Sequence, residues 1–201
     1  MMQTGFWWII LSISIYAVIH SLLASHAVKR WVENRVGSGI YQRYYRLFFS
    51  LQAFLLFLPV LALTVLLPDL QIYRIPRPWV WFTLIIQLSA VYLLLNSIFQ
   101  TGALRFTGFA QAFNIKEATL SLPLVERGMY RFVRHPIYTC MFVIMWLMPF
   151  MSWNVLAVAI GVSVYNVIGA MLEERKLSLE FGQDYLAYKK KTPFLIPGLK
   201  L

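Results

Sequence analysis

The uncharged stretches of this sequence are its strongest constraint, and the last of them is too long for one membrane helix. Residues 135–172 contain no Asp, Glu, Lys or Arg, and as a single helix they would run roughly 57 Å. A bilayer has a hydrocarbon core of about 30 Å, so this stretch must fold back on itself. Residues 149–154 are the best place for the turn, because they include proline, serine, asparagine and an interface-favouring tryptophan.

Three further uncharged stretches each fit one crossing. The predicted spans are therefore five, at residues 6–23, 47–67, 79–99, 136–150 and 153–172, followed by a carboxyl-terminal segment at 173–201. Only 13% of the 201 residues are charged and 60% are hydrophobic, whereas soluble domains usually have about 25% charged residues. The sequence predicts one all-α integral membrane domain over residues 1–201, in which spans four and five form a tight hairpin.

The basic residues are distributed unevenly between the linkers. Of the 18 Lys and Arg residues, only Arg74 and Arg77 fall outside the linkers after spans one and three and the tail. The positive-inside rule then puts the amino terminus outside and the carboxyl terminus in the cytoplasm. We expect the membrane to be a bacterial or archaeal inner membrane. Because long uncharged stretches separate the charges, the net charge of +10 makes no continuous face for nucleic acid. We expect membrane lipid as a partner and no nucleic acid.

Polar residues crowd at the cytoplasmic ends of the predicted hairpin. Arg134, His135 and Pro136 precede span four, and Glu173 and Glu174 follow span five. Proline suits the first position of a helix, which would leave His135 as the cap and the helix amides as an anion site. The two carboxylates would face that site at the membrane boundary, where an isolated charge is costly. We expect a ligand that carries both a carboxylate and cationic groups.

Span five also has a stripe of mostly small residues that leads to Glu173. Its members recur every four residues and so share one helix face: Ala157, Gly161, Tyr165, Gly169 and Glu173. Asn166 lies three positions before Gly169. A stripe of this kind is also typical of helices that only pack closely in lipid, so both interpretations stay open.

The tail is amphipathic. Apolar and polar residues alternate in 177–191, and prolines follow at 193 and 197. This pattern predicts an interfacial helix that lies over the hairpin ends.

Four motifs in residues 123–198 resemble those of a known superfamily. They are Arg134-His135-Pro136-Ile137-Tyr138, Glu173-Glu174-x-x-Leu177, Phe181-Gly182-x-x-Tyr185-x-x-Tyr188, and the segment Pro193–Pro197. Their order resembles the isoprenylcysteine carboxyl methyltransferase and phospholipid methyltransferase superfamily. The resemblance implies an integral membrane enzyme that uses S-adenosylmethionine. The cofactor-binding residues expected from it are His135, Tyr138, Asn166, Gly169, Glu173, Glu174 and Tyr185.

The amino-terminal half is similar to one branch of that superfamily. Residues 20–24, 29–31, 44–50 and 106–111 look like the methanethiol S-methyltransferases and the NnrU-type membrane proteins. The chain departs from the motifs at three positions. Cys140 stands where glycine is usual, and Ala110 and Lys191 stand where many members have arginine.

Methyl transfer from a sulfonium needs alignment and a dry site more than acid–base machinery. A thiol acceptor, however, needs a base or a positive field that favours the thiolate. Arg134, His135 and Lys191 are therefore the candidate catalytic residues. The acceptor that we expect is a small or lipid-soluble thiol, or a thioether-linked carboxylate.

Other functions stay open at this point. One is phospholipid N-methylation, and another is a non-catalytic NnrU-like component of respiratory nitrogen-oxide metabolism, which could ligate haem through His20, His26 and His135. His20 and His26 are about 240° apart around a helix, so they cannot face one ligand together. Cys140 is either a methyl-accepting nucleophile or a buried packing thiol. The sequence predicts no metal site.

Overall fold

The computed structural model describes residues 4–115 and 123–199, and most of these residues are helical. Lys116 and Lys200, which we counted among the cytoplasmic basic residues, lie outside the described ranges. The helices in chain order are α1 (Phe6–Ala24), α2 (His26–Val36), α3 (Ser38–Leu66), α4 (Trp79–Gln100), α5 (Ala103–Thr107), α6 (Phe109–Ala112), α7 (Pro136–Trp146) and α8 (Trp153–Lys191), with a 3₁₀ turn at Gly128–Arg131.

Four of these helices, α1, α3, α4 and α8, are long and apolar enough to cross a membrane. They correspond to predicted spans one, two, three and five. The chain is therefore a helical integral membrane protein, as the uncharged stretches predict.

The predicted fourth span is shorter than expected. We expected a helix over 136–150, but α7 ends at Trp146 after 11 residues, a length of about 17 Å. Pro149 cannot continue a helix and disfavours helical backbone in the residue before it. Helix α7 alone is therefore too short for a hydrocarbon core, and the five-span arrangement is not confirmed.

A small sheet replaces the end of that expected helix. Strand β1 (Gln71–Arg74) pairs antiparallel with β2 (Phe150–Ser152), a short pairing that the sequence did not predict in a chain whose described residues are otherwise mostly helical. The register joins Arg74 to Phe150 and Tyr73 to Met151, and the amide of Ile75 donates to the Pro149 carbonyl at 2.8 Å. Backbone groups left without helical partners after Trp146 are satisfied by this pairing. The alternation that marks a strand is too short here to detect in the sequence.

The chain divides into two compact units. The first comprises Met1–Leu70, Gly102–Ser121 and Trp153–Gly161, and the second comprises Gln71–Thr101, Leu122–Ser152 and Val162–Leu201. The two units hold different parts of α8.

The first unit is built on α1, α3 and the start of α8. Ile9, Ile13, Val60 and Ala157 form its buried core. A Cβ on Gly161 would lie 2.8 Å from the Ile13 side chain, so the small residues at 157 and 161 serve close helix packing.

Asn154 closes the end of α3 in the same unit. Its side chain is fully buried, and its amide nitrogen donates to the carbonyls of Thr64, Leu67 and Pro68. These carbonyls belong to the last turn of the helix and the residues after it, where helical partners are missing.

In the second unit α4 packs against α7. The Gln87 side chain donates to the Ile144 carbonyl at 2.7 Å. The Trp146 indole also donates to the Ser163 hydroxyl of α8 at 3.0 Å. These contacts hold α7 between two longer helices.

The tail is helical over 177–191, as its pattern predicts, but no loop separates it from the fifth span. Helix α8 runs from Trp153 to Lys191 and is broken only at Gly182, where φ is 55° and ψ is −123°. Side chains disfavour that backbone conformation, which is essentially restricted to glycine. Gly182 therefore redirects the last nine residues of the helix.

Candidate functional site

The centre of the site is a buried ion cluster in the second unit. The Arg134 Nε donates to Glu174 at 2.5 Å, and the Lys189 Nζ donates to the other oxygen of the same carboxylate at 2.6 Å. The side chains of Arg134 and Glu174 are only 4% and 9% exposed. One carboxylate thus joins the segment before α7 to two turns of α8 that lie on either side of Gly182.

The segment after α8 completes the enclosure of Arg134. The guanidinium also donates to the carbonyls of Lys189 and Thr192. The amides of Arg134 and His135 donate to the carbonyls of Pro193 and Phe194, at 2.8 and 3.3 Å. These two amides and the guanidinium all have protein acceptors, because the residues around Pro193 present their carbonyls to them. The anion site expected at the free amides of the α7 start stays a prediction.

The electrostatics of Glu174 follow from these contacts. Burial alone would raise the pKa of its carboxyl, but the hydrogen bonds and positive charges of Lys189 and Arg134 outweigh burial and lower that pKa below its ordinary value. Glu174 is therefore ionised, and two cations compensate its charge.

Glu173 is placed quite differently from its neighbour. Its side chain is 48% exposed, and its Oε2 accepts from the Tyr138 hydroxyl at 3.2 Å. A Cβ on Gly169 would stand 3.7 Å from that same hydroxyl. Within the residues described, no Lys or Arg forms an ion pair with Glu173. This carboxylate is thus available to a cation from outside the protein.

His135 lies between the two carboxylates. Its imidazole is 4% exposed, with Nδ1 at 3.7 Å from Glu173 and Nε2 at 3.5 Å from Glu174. The Nε2 atom is buried and makes no hydrogen bond to any described residue. The ring stands edge-on to Phe194 at 5.1 Å between centroids, and Tyr138 lies 5.7 Å away. His135 occupies the cap position of α7 as predicted, but its side chain does not cap the helix.

The remaining predicted site residues, Asn166, Tyr185 and Lys191, differ from one another in burial and in contacts. Asn166 is buried, and its amide nitrogen contacts the Met141 sulfur at 3.8 Å. Tyr185 is 1% exposed, and its hydroxyl has no hydrogen-bond partner among the described residues. Burial and the charge of Glu174 raise the pKa of Tyr185, so its hydroxyl stays protonated. Lys191, in contrast, is exposed, and Lys189 is the lysine that reaches the cluster.

Sequence reasoning missed two further contributors. Lys189 is one, and Tyr130 is the other, whose carbonyl accepts from the Tyr188 hydroxyl at 2.7 Å. Burial and the charge of Glu173 raise the pKa of Tyr130 to about 12. The motif Phe181-Gly182-x-x-Tyr185-x-x-Tyr188 pointed to this part of the tail, but the break at Gly182 prevented any spacing argument from identifying Lys189.

Two other sequence candidates have local explanations. Cys140 is a buried free thiol that is 3% exposed, as a packing residue would be. His20 accepts a hydrogen bond from Gln52, or donates one to it, at 2.9 Å, and it stacks on Tyr16. In the described part of the chain, no three His, Cys, Asp or Glu side chains are grouped to hold a metal ion.

The arrangement suits a ligand with a cationic portion. Glu173 offers a negative charge, Tyr138 a hydroxyl, and the buried Nε2 of His135 either a donor or an acceptor, depending on its tautomer. Gly169 has no side chain and leaves space beside Tyr138.

Comparison with known proteins finds relatives that carry methyltransferase names. Relatives named methanethiol S-methyltransferase are similar over nearly the whole chain. Protein 1 of that name in Bradyrhizobium diazoefficiens is 34% identical over 199 residues, which is 94% of this chain and 65% of the relative. The Mycobacterium tuberculosis protein is 28% identical (92% of this chain, 75% of the relative), and the Crocosphaera subtropica protein is 28% identical (92% and 72%). This chain thus spans slightly less than two thirds of the first relative's length. No solved structure is significantly similar to the chain.

A family model described as phospholipid methyltransferase matches residues 79–184. That match covers more than half of the chain and contains Arg134, His135, Glu173 and Glu174. The resemblance read from the sequence motifs is confirmed, and the chain belongs to the phospholipid methyltransferase family.

Proposed function

We propose that this protein is an S-adenosylmethionine-dependent membrane methyltransferase whose acceptor is a small or lipid-soluble thiol, or a thioether-linked carboxylate. The observation that carries the proposal is the pairing of a half-exposed carboxylate with a buried imidazole that lacks a hydrogen bond. Glu173 is 48% exposed and His135 Nε2 is buried without a partner among the described residues.

The residues fit the cofactor's chemistry. S-adenosylmethionine carries an ammonium, a carboxylate and a sulfonium, and it supplies the methyl group when bound. Glu173 and the Tyr138 hydroxyl would hold its cationic part, and the glycine at 169 leaves room beside them. Glu174 instead fixes Arg134 and Lys189, so we assign it a positioning role.

Two observations support a thiol acceptor. The similar proteins in three organisms carry the name methanethiol S-methyltransferase. In addition, a thiol must lose its proton to become a strong nucleophile, and His135 Nε2 is a buried nitrogen that could accept it. The description of the family itself favours a second candidate, methylation of phospholipid amines. Neither comparison points to a non-catalytic respiratory component.

We also propose that the chain crosses a bacterial or archaeal inner membrane five times, with its amino terminus outside. Helix α4 begins and α7 ends close to the paired strands β1 and β2. Helix α7 contributes about 17 Å, and the six residues that follow it contribute about 20 Å when extended, which together can cross a core of about 30 Å. Extended backbone is tolerated at that depth only where it is buried in protein, and Met151 and Ser152 of β2 are 3% and 1% exposed. Reporter fusions in the 75–78 loop and after residue 199 test the arrangement; a fusion after residue 199 found outside the cell would refute it.

The first experiment is calorimetric titration of the detergent-purified chain with S-adenosylmethionine and S-adenosylhomocysteine. Glu173→Gln should weaken binding, whereas Glu180→Gln, the same change at an exposed site on α8, should not. Absence of binding to the wild-type chain would refute the proposal.

The second experiment is transfer of labelled methyl groups to a panel of acceptors. Short alkyl thiols and prenylcysteine analogues should be methylated. Turnover of phosphatidylethanolamine alone would favour the phospholipid candidate, and turnover of glutathione alone would contradict a lipid-soluble acceptor.

A further inference from the structure

Helix α2 is joined to two membrane helices by corners of one residue each. Ser25 lies between α1 and α2, and Gly37 lies between α2 and α3. The Ser25 hydroxyl donates to the Leu22 carbonyl at 2.7 Å and accepts from the Val28 amide at 3.3 Å, so it caps both of its neighbours. Gly37 has a φ of +85°, a conformation that other residues disfavour. Corners this short leave α2 no slack to move away from α1 and α3.

The depth of α2 in the bilayer follows from these two neighbours. The Tyr45 hydroxyl of α3 donates to the Leu23 carbonyl at the end of α1, at 2.6 Å. Tyr45 also lies next to the start of the uncharged stretch 47–67, so this contact marks the membrane boundary. Gly37 precedes Tyr45 by eight residues, which is about 12 Å along α3. Trp31, midway along α2, therefore lies at most about 6 Å beyond the boundary, within a headgroup layer that is about 5–7 Å thick.

One face of α2 is turned away from the protein. Positions three and four residues apart share a helix face, and those at 27, 30, 31, 34 and 35 are all exposed. The positions between them, at 28, 29, 32 and 33, are partly buried, and α2 packs against α1 and α3. Glu33, the one carboxylate of α2, is among these partly buried positions. We define the outward face of α2 as Ala27, Arg30, Trp31, Asn34 and Arg35; it has two positive charges and no negative charge.

The outward face combines an exposed indole with two guanidiniums. Trp31 is 59% exposed, and the Arg35 guanidinium stands over its ring at 5.8 Å from the centroid. Neither Arg30 nor Arg35 forms an ion pair with a residue that the structure describes. Tryptophan rings favour the headgroup level of a bilayer, and a guanidinium can donate two parallel hydrogen bonds to a phosphate. The charge and the depth of this face therefore match the headgroups of anionic phospholipids.

We propose that the outward face of α2 binds anionic phospholipid headgroups of the membrane that α1 and α3 cross. In the five-span arrangement these headgroups belong to the cytoplasmic leaflet. The face belongs to the first compact unit, and the proposal does not depend on the methyl-transfer reaction.

A fluorophore on the outward face reports the contact directly. Asn34→Cys gives an exposed thiol for an environment-sensitive dye, and Cys140, the one natural cysteine, is replaced by alanine. The labelled full chain in detergent is titrated with short-chain phosphatidylglycerol, and with short-chain phosphatidylcholine as the zwitterionic reference. Phosphatidylglycerol should bind more tightly, and Arg30→Gln and Arg35→Gln should each weaken its binding by about fivefold. Arg77→Gln, the same charge change at an exposed site near β1, should leave the dye response unchanged.

Lysine variants separate the role of charge from a structural role. Arg30→Lys and Arg35→Lys keep the charge and should retain most of the preference for phosphatidylglycerol; a loss as large as in the glutamine variants would overturn the proposal. The preference should shrink as the salt concentration rises from about 0.05 to 0.5 M, because salt screens exposed charges.

Three results would refute the proposal. The first is equal binding of the two lipids, and the second is a preference that survives Arg30→Gln and Arg35→Gln combined. The third is a dye response to soluble polyglutamate without a response to phosphatidylglycerol, which would make the outward face a site for an acidic protein.

Discussion

The two adjacent carboxylates should respond in opposite ways to the same substitution. Glu174→Gln removes a charge that two cations share, and it leaves Arg134 buried at 4% exposure. Breaking a buried ion pair from one side costs 3–5 kcal/mol. Arg134 keeps two carbonyl acceptors, so we expect the lower end, about 3 kcal/mol. Glu173→Gln changes a half-exposed group and should alter stability by less than about 0.5 kcal/mol.

Thermal unfolding of the purified chain in detergent, followed by tryptophan fluorescence, measures the difference. A loss of 3 kcal/mol in a chain of this size corresponds to a fall of about 6–12 °C in melting temperature. The affinity for S-adenosylmethionine should show the reverse order, with the larger loss in Glu173→Gln. Glu173→Gln is expected to weaken S-adenosylmethionine binding by ~1.5–3 kcal/mol, a factor of roughly 10 to 150. Glu180→Gln provides the matched control for both measurements.

A double substitution distinguishes a buried ion pair from general disturbance. When both charges are removed, as in Arg134→Met with Glu174→Met, no uncompensated charge stays behind. The double variant should therefore be more stable than either single variant. Equal melting temperatures for wild type and Glu174→Gln would refute the reasoning, as would strictly additive losses in the double variant.

Three further outcomes follow from the same region. Because the pKa of Glu174 is lower in the folded chain, its ion pairs stabilise the fold above the unfolded pKa of 4.5, and this stabilisation is lost as the pH falls through the folded pKa. The acid-induced fall in melting temperature should therefore be smaller in Glu174→Gln than in the wild type. Gly182→Ala should cost about 1–3 kcal/mol through backbone strain alone, since nothing lies within 4 Å of the added Cβ, and Gln183→Ala is its control in the same melting assay. Lys189→Gln should lower the melting temperature more than Lys191→Gln, because only Lys189 contacts Glu174; equal effects would contradict the observed orientation of the tail.

The spans were predictable because they depend on a property that a sequence shows directly. Uncharged stretches identified α1, α3, α4 and α8, since lipid excludes charge whatever the details of packing. The short α7 was not predictable in the same way. Its end depends on Pro149 and on pairing between β2 and β1, and a strand of three residues leaves no period to detect.

The site was predictable in composition but not in detail. Depth in the membrane indicated that Arg134 and His135 meet Glu173 and Glu174, and these residues do lie in contact. Adjacent residues on a helix point about 100° apart, so the rotation of α8 decides which carboxylate faces Arg134. That rotation results from packing along the whole helix. The choice of Lys189 over Lys191 depends likewise on the unusual backbone at Gly182.

The carbonyls of Pro193 and Phe194 have a consequence for how the protein is made. They accept from the amides of Arg134 and His135, which are synthesised about 60 residues earlier, an interval on the order of 3–12 s at typical translation rates. During that time the spans enter the bilayer, while the carbonyls that accept from the Arg134 and His135 amides have not yet been synthesised. Membrane insertion and completion of the site are thus separate events. A chain that stalls or is cleaved before Thr192 would stay anchored in the membrane yet never assemble the enclosure around Arg134.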